Sequence, residues 1–149
     1  MATDRIEKQI VLRAPQSRVW RALTSTEEFN AWFGVKLVGA FTPGARVSGL
    51  LTVTGYEHLA MEILVERVDP EKLFSYRWHP YAVDKNVDYS TEPMTLVEFR
   101  LAVVPGGTLL TVVESGFDRL PPARRAKAFR MNDRGWADQL KSIQRHVAS

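Results

Sequence analysis

The 149 residues carry 20 Lys and Arg against 17 Asp and Glu, a formal charge of +3, with 45% hydrophobic and 25% charged side chains. Length and composition fit one globular domain that buries its core without a disulfide or metal staple. Cysteine is absent, which excludes disulfides, thiolate zinc sites, iron–sulfur clusters and a thiol nucleophile. The first eight residues alternate charged and apolar side chains, so no signal peptide is expected. No apolar run approaches the ~20 residues of a membrane span, so membrane insertion is not expected and a cytoplasmic location is.

Ile6, Ile10 and Leu12 share one parity against Glu7 and Gln9, which predicts a half-buried strand over 6–12 with Lys8 out of phase. Pro15 suits the first turn of a helix, where its missing N–H needs no partner. Val19, Trp20 and Leu23 give that helix one apolar face. Thr26 is expected to cap a second short helix ahead of Glu27 and Glu28. This helix carries Phe29, Trp32 and Phe33 and stops at Gly34. Strands over 46–53 and 58–68 flank a turn at 54–57, and in the second of them Leu59, Met61, Ile63 and Val65 share a parity. A strand over 73–78 alternates Phe74, Tyr76 and Trp78 with Ser75 and Arg77. The polar segment 80–93 is long enough to suggest a gate. Two more strands, 95–104 and 109–117, turn at Pro105-Gly106-Gly107. The chain then ends in one helix over 122–147, roughly 39 Å long. Trp136, Leu140, Ile143 and Val147 form its apolar stripe. The sheet's apolar face has to be covered, and only this helix is long enough to cover most of it.

Three segments carry a resemblance. They are Ala14-Pro15-Gln16-Ser17-Arg18-Val19-Trp20-Arg21-Ala22-Leu23-Thr24, Phe29-Asn30-Ala31-Trp32-Phe33, and Gly135-Trp136 with Leu140. They are similar to the "APxxxVWxALT", "hxxWF" and "GWxxxLxxL" patterns of the activator-of-Hsp90-ATPase homologues, within the START-like helix-grip superfamily. Val68-Asp69-Pro70 and Glu114-Ser115-Gly116-Phe117 fit the same pattern. The resemblance spans nearly the whole chain and implies an α+β helix-grip fold, a curved antiparallel sheet wrapped around the long helix with a cavity between them. It further implies a small hydrophobic or amphipathic ligand, lipid-like or polyketide-like. Some relatives act instead through a protein contact on a chaperone ATPase, and a few catalyse reactions on apolar molecules. The chain is expected to be a single domain, without the additional N-terminal domain of the eukaryotic co-chaperones.

The expected cavity walls are Met61, Tyr76, Trp78, Phe99, Val112 and Phe129, with Trp32 near the mouth. An indole lines an apolar pocket while its N–H marks one polar point; core packing is the other reading of each tryptophan, and the favoured one for Trp20 and Trp136. Glu114 shares the parity of Leu110 and Val112, and a carboxylate on that inner face is costly unless paired or protonated. It is therefore a ligand-orienting or acid–base group, or else a solvated strand end or the partner of a cation such as Arg130. Tyr76, Asn132 and Asp133 are lesser candidates of the same kind. His58, His79 and His146 are scattered, so neither a metal site nor a cofactor is expected. No catalytic constellation is visible. The C-terminal helix carries seven basic residues against Asp133 and Asp138. That face suits an acidic or chaperone partner better than nucleic acid, because no aromatic platform interleaves with the charges. Monomer and homodimer are both compatible with the sequence.

Overall fold

The structure, a computed structural model, describes residues 5–80, 89 and 91–148. Six strands, β1 (Arg5–Leu12), β2 (Arg46–Leu50), β3 (Ala60–Asp69), β4 (Leu73–Trp78), β5 (Thr95–Val104) and β6 (Gly107–Ser115), form one sheet. Its order is β1-β6-β5-β4-β3-β2 and every pairing is antiparallel. Helices α1 (Gln16–Thr24) and α2 (Thr26–Phe33) follow β1, and α3 (Pro122–Ala148) ends the chain. This is the α+β helix-grip architecture, a curved sheet holding one long helix. Most of segment 80–93, the expected gate, lies outside the described residues.

The period-2 patterning works as read in β5 and β6, where Val97, Phe99, Leu110 and Val112 are all buried. In β3 the parity changes partway. A bulge between Val65 and Arg67 inserts one residue, so Met61, Ile63 and Val65 face inward before it and Val68 packs on the core after it. Lys8, out of phase in β1, uses its inward position to reach α3, with Nζ 3.2 Å from Asp133 Oδ1.

Some boundaries differ from the sequence expectation. Ser25, not Thr26, caps α2: its backbone is extended and its Oγ accepts from the Glu28 N–H. Thr26 is already helical, and its hydroxyl donates to the Gly39 carbonyl. β2 ends at Leu50, because Leu51 pairs back with Val35 in an isolated bridge. β6 ends at Ser115, because Gly116 turns into the left-handed region and Phe117 starts a single 3-10 turn. Gly34 terminates α2 with φ +91°.

Helix α3 buries Ala128, Asn132, Trp136, Leu140, Ile143 and Val147. The stripe therefore runs back from Trp136 in steps of four to a polar residue. Its side chains also close the end of α2: Gln139 Nε2 donates to the Phe33 carbonyl at 3.0 Å, and Ser142 Oγ to the Trp32 carbonyl. Those carbonyls would otherwise lack partners at a helix C-terminus.

Candidate functional site

Glu114 is fully buried. It sits near the end of β6 between Ile6 of β1 and Val97 of β5, and four side chains donate to it. Trp78 Nε1 reaches Oε2 at 2.8 Å and Trp136 Nε1 reaches Oε1 at 2.7 Å. Thr95 Oγ1 donates to Oε2 at 2.5 Å. Asn132 Nδ2 lies 3.0 and 3.1 Å from the two oxygens. The donors come from the paired residues Trp78 and Thr95 on β4 and β5, and from Asn132 and Trp136, one turn apart on α3. None of them is charged. The cationic partner expected from Arg130 is absent, because Arg130 is exposed and lines a different recess.

Burial pushes the Glu114 carboxyl above its ordinary range, and the bonds from Thr95, Trp78, Trp136 and Asn132 pull it back part of the way. Indole and amide N–H groups only donate, so the arrangement is shaped for an acceptor at both oxygens. A protonated acid would have to turn one oxygen into a donor, with Thr95 Oγ1 or the Oδ1 of a flipped Asn132 amide as the acceptors among these four. Tyr76 lies beneath, fully buried, and among the described residues its hydroxyl has no hydrogen-bond partner. Burial, and then the charge of Glu114, raise its phenol well above the usual range.

Below the carboxylate the interior is filled by aromatic rings. Phe29, Trp32, Phe33, Phe41, Phe74, Tyr76, Trp78, Phe99 and Trp136 form one continuous ring-to-ring network. Trp32 belongs to this packing. It is 5% exposed, and its Nε1 donates to the Ala22 carbonyl at 2.7 Å, so it does not reach the mouth of a cavity. Tyr76, Phe99 and Val112 are likewise core.

Open space lies to one side, between the start of β3, the end of β4 and the middle of α3. A groove of about 510 Å³ is walled by Phe33, Leu51, Leu59, Met61, Trp78 and Met131, with Asn132 on its inner side and Glu62 among its lining residues. A smaller extension of about 80 Å³ continues past Phe33, Trp78 and Asn132 to Trp136. Of the expected wall residues, Met61 and Trp78 line the groove. Phe129 does not: its ring packs on Phe117 at 5.2 Å. With Arg130 it borders a separate recess of about 280 Å³ near the start of α3. Glu114 itself lines none of these spaces but stands directly behind Trp78 and Asn132.

The sequence reading left out Thr95 and gave Asn132 little weight. The signal for Asn132 was a polar residue in phase with Trp136 and Leu140 on the buried stripe. For Thr95 it was a hydroxyl in phase with Val97 and Phe99. Among the described residues no three His, Asp or Glu side chains cluster as metal ligands, and no helix is long and apolar enough to cross a membrane.

The family model described as activator of Hsp90 ATPase homolog 1-like protein matches residues 13–148. No curated protein matches the chain. Among solved structures the chain is similar to DynU16, a protein in the dynemicin biosynthetic locus, with 25% identity and a TM-score of 0.74. That match covers 98% of this chain and 48% of DynU16, so the chain spans about half of that protein. It is similar in fold to MLL2253 from Mesorhizobium loti, at 22% identity and a TM-score of 0.77 over 97% of this chain and 96% of that one. The Aha1 dimer from Colwellia psychrerythraea is similar at 18% identity and a TM-score of 0.73, over 99% and 96% of the two chains.

Proposed function

We propose that this chain, which belongs to the activator of Hsp90 ATPase homolog 1-like family, binds a small apolar or amphipathic molecule in the groove beside Trp78. The observation that carries the reading is the groove itself. Its volume of about 510 Å³ falls within the ~300–1,000 Å³ of ordinary ligand pockets. Most of its wall is apolar, with Ser48, Glu62 and His79 among the lining residues, and Asn132 joins it to the buried polar cluster. Binding draws on the burial of apolar area, ~25 cal/mol per Å² before ordering costs. The place of DynU16 in a biosynthetic locus agrees with handling of a small molecule. No acid–base role is assigned to Glu114, because both of its oxygens are occupied by protein donors and it does not face the groove.

The test is titration with Nile red, an uncharged apolar dye, together with native mass spectrometry of protein purified without detergent. Saturable binding of one dye per chain, or a discrete co-purifying mass, is the expected result. Absence of both removes the reading.

A second reading rests on a different observation. Arg130, Arg134, Lys141 and Arg145 are exposed along α3, a basic face suited to an acidic partner protein such as a chaperone. It predicts association that weakens steeply with salt and needs no small molecule.

A further inference from the structure

The Asn132 amide has a fixed orientation. Its Nδ2 points at both oxygens of Glu114, and the flipped amide would set its carbonyl oxygen against a carboxylate, so the hydrogen-bond network decides the assignment. Oδ1 therefore turns away from Glu114. Among the described residues no protein donor reaches it, and it is not among the enclosed unpartnered atoms. Asn132 lines both the groove and its extension. A bare acceptor thus stands at the inner side of a mostly apolar space.

Little positive charge faces it. Glu114 lies directly behind Asn132 and Trp78, Glu62 is among the lining residues with Arg46 Nη1 3.3 Å from its Oε1, and Ser48 and His79 are the other polar residues of the lining. Among the described residues no Lys or Arg lines the groove. An anionic headgroup would find no ammonium or guanidinium in this lining, and the Glu114 carboxylate would stand behind the wall. An ether or ester oxygen would face Oδ1 lone pair to lone pair. A hydroxyl satisfies the acceptor without bringing charge into the groove.

We infer that the groove selects apolar molecules ending in an uncharged hydroxyl, an alcohol or phenol that donates to Asn132 Oδ1, and that Glu114 is the positioning residue that holds the amide in this sense. The assignment rests on the groove being a ligand site, and it names the polar end of the ligand. Toward the hydroxyl itself Glu114 acts through Asn132. When Glu114 is ionised, its two oxygens, each taken by an indole N–H, leave the amide no alternative orientation.

The experiment is competition against Nile red at pH 8, where ordinary imidazoles are neutral, with 2-naphthol, 2-methoxynaphthalene and 2-naphthoate. These share one ring system and differ only in the polar end. 2-Naphthol is expected to displace the dye about tenfold more tightly than 2-methoxynaphthalene, the upper range for one neutral hydrogen bond, with 2-naphthoate weaker still. Glu114→Gln keeps the shape but gives the side chain an N–H₂ as well as a carbonyl. Asn132 then gains as much by turning its carbonyl inward, and the preference for naphthol over its ether is expected to fall to about twofold or less, read as a ratio within the variant. A merely structural role for Glu114 would lower the affinity for all three compounds together. If the three compete equally with wild-type protein that binds Nile red, the hydroxyl assignment is overturned and the groove stands. If Nile red itself does not bind, the groove reading fails and takes this one with it. The wild-type comparison decides the matter even if the variant does not fold.

Discussion

Trp78 on β4 and Trp136 on α3 donate their indole N–H groups to opposite oxygens of one buried carboxylate, and their rings lie 5.8 Å apart. The sheet and the helix that it grips are thus joined by polar bonds within a largely apolar interface, with Asn132 to Glu114 and Lys8 to Asp133 beside them. A hydrophobic interface permits small slides of a helix along a sheet; two indoles anchored to Glu114 set the register of α3 against β4 and β6. The groove opens beside this anchor, so its shape inherits that register.

Replacing Glu114 by Leu removes the acceptor and leaves the N–H groups of Trp136, Asn132 and Trp78 and the Thr95 hydroxyl to find new partners. Orphaned buried donors cost about 1–3 kcal/mol each. Part of that is relieved at half-buried Trp78, where water can enter. A net loss of about 3 kcal/mol, or roughly 10 °C in Tm for a chain of this length, is expected. Urea and thermal melts check it. A variant as stable as wild type would mean that the four bonds contribute nothing net.

The same carboxyl gives a pH signature of definite sign. Its folded value is raised above the ordinary 4.5, so the folded state holds the proton more tightly than the unfolded chain. The associated stability is fully present below pH 4.5 and is lost as pH rises through the folded value. Glu114→Gln is expected to flatten that decline in a series of melts across the acid range. An unchanged slope in the variant would show that Glu114 is not its source.

Glu28 works in the opposite direction. Burial pushes its carboxyl up, but bonds from His146, Arg18 and Arg21 outweigh this and leave it below 4.5. Arg18 Nη1 and His146 Nε2 lie 2.6 and 2.9 Å from Oε1, and Arg21 Nε lies 2.8 Å from Oε2. This clamp joins α1, α2 and the end of α3. A lowered carboxyl contributes stability above pH 4.5 and loses it as pH falls through the folded value. Glu28→Gln is expected to cost about 1 kcal/mol at neutral pH, because the group is only half-buried, and to remove that acid loss. Equal acid slopes in both proteins would contradict the assignment.

The strand faces and the α3 stripe were legible because burial alternates with a fixed period, and period survives without knowledge of neighbours. The polar cluster was half legible. Glu114 stands out as a carboxylate in phase with Leu110 and Val112, but nothing local says that its partners are indoles rather than Arg130. That outcome depends on how α3 is rotated, and rotation is set by packing of residues far apart in sequence. Trp32 and Phe129 were misplaced for the same reason. Both are large and apolar, and periodicity does not tell a wall from a filled interior. The bulge at Glu66 had no sequence signal at all, since no glycine or proline marks it.

Gly49 in β2 is a position where space, rather than backbone conformation, demands glycine. A Cβ there would come within 1.8 Å of the Lys36 carbonyl oxygen, which belongs to the segment bridged to β2 through Lys36 N–H to Leu50 O and Val38 N–H to Ser48 O. Gly49→Ala has to displace that segment, at a cost of about 1–3 kcal/mol typical of overpacking. Faster hydrogen exchange at the Lys36 and Val38 amides is the expected local sign. Normal protection there, with wild-type stability, would mean that the close approach is not maintained in solution.

Met131 allows the groove to be altered without touching the core. It is 39% exposed on α3 and lines the groove, so Met131→Lys is expected to change stability by no more than about 0.5 kcal/mol. The ammonium replaces apolar wall with charge. Nile red affinity should fall roughly tenfold, the equivalent of losing about two buried methylenes. The same cation supplies what a carboxylate ligand lacks in the wild-type groove, so 2-naphthoate should gain affinity as 2-naphthol loses it. Parallel calorimetry of both compounds on the two proteins checks the reversal. If neither affinity moves, binding takes place elsewhere on the molecule, with the recess beside Phe129 and Arg130 as the next place to look.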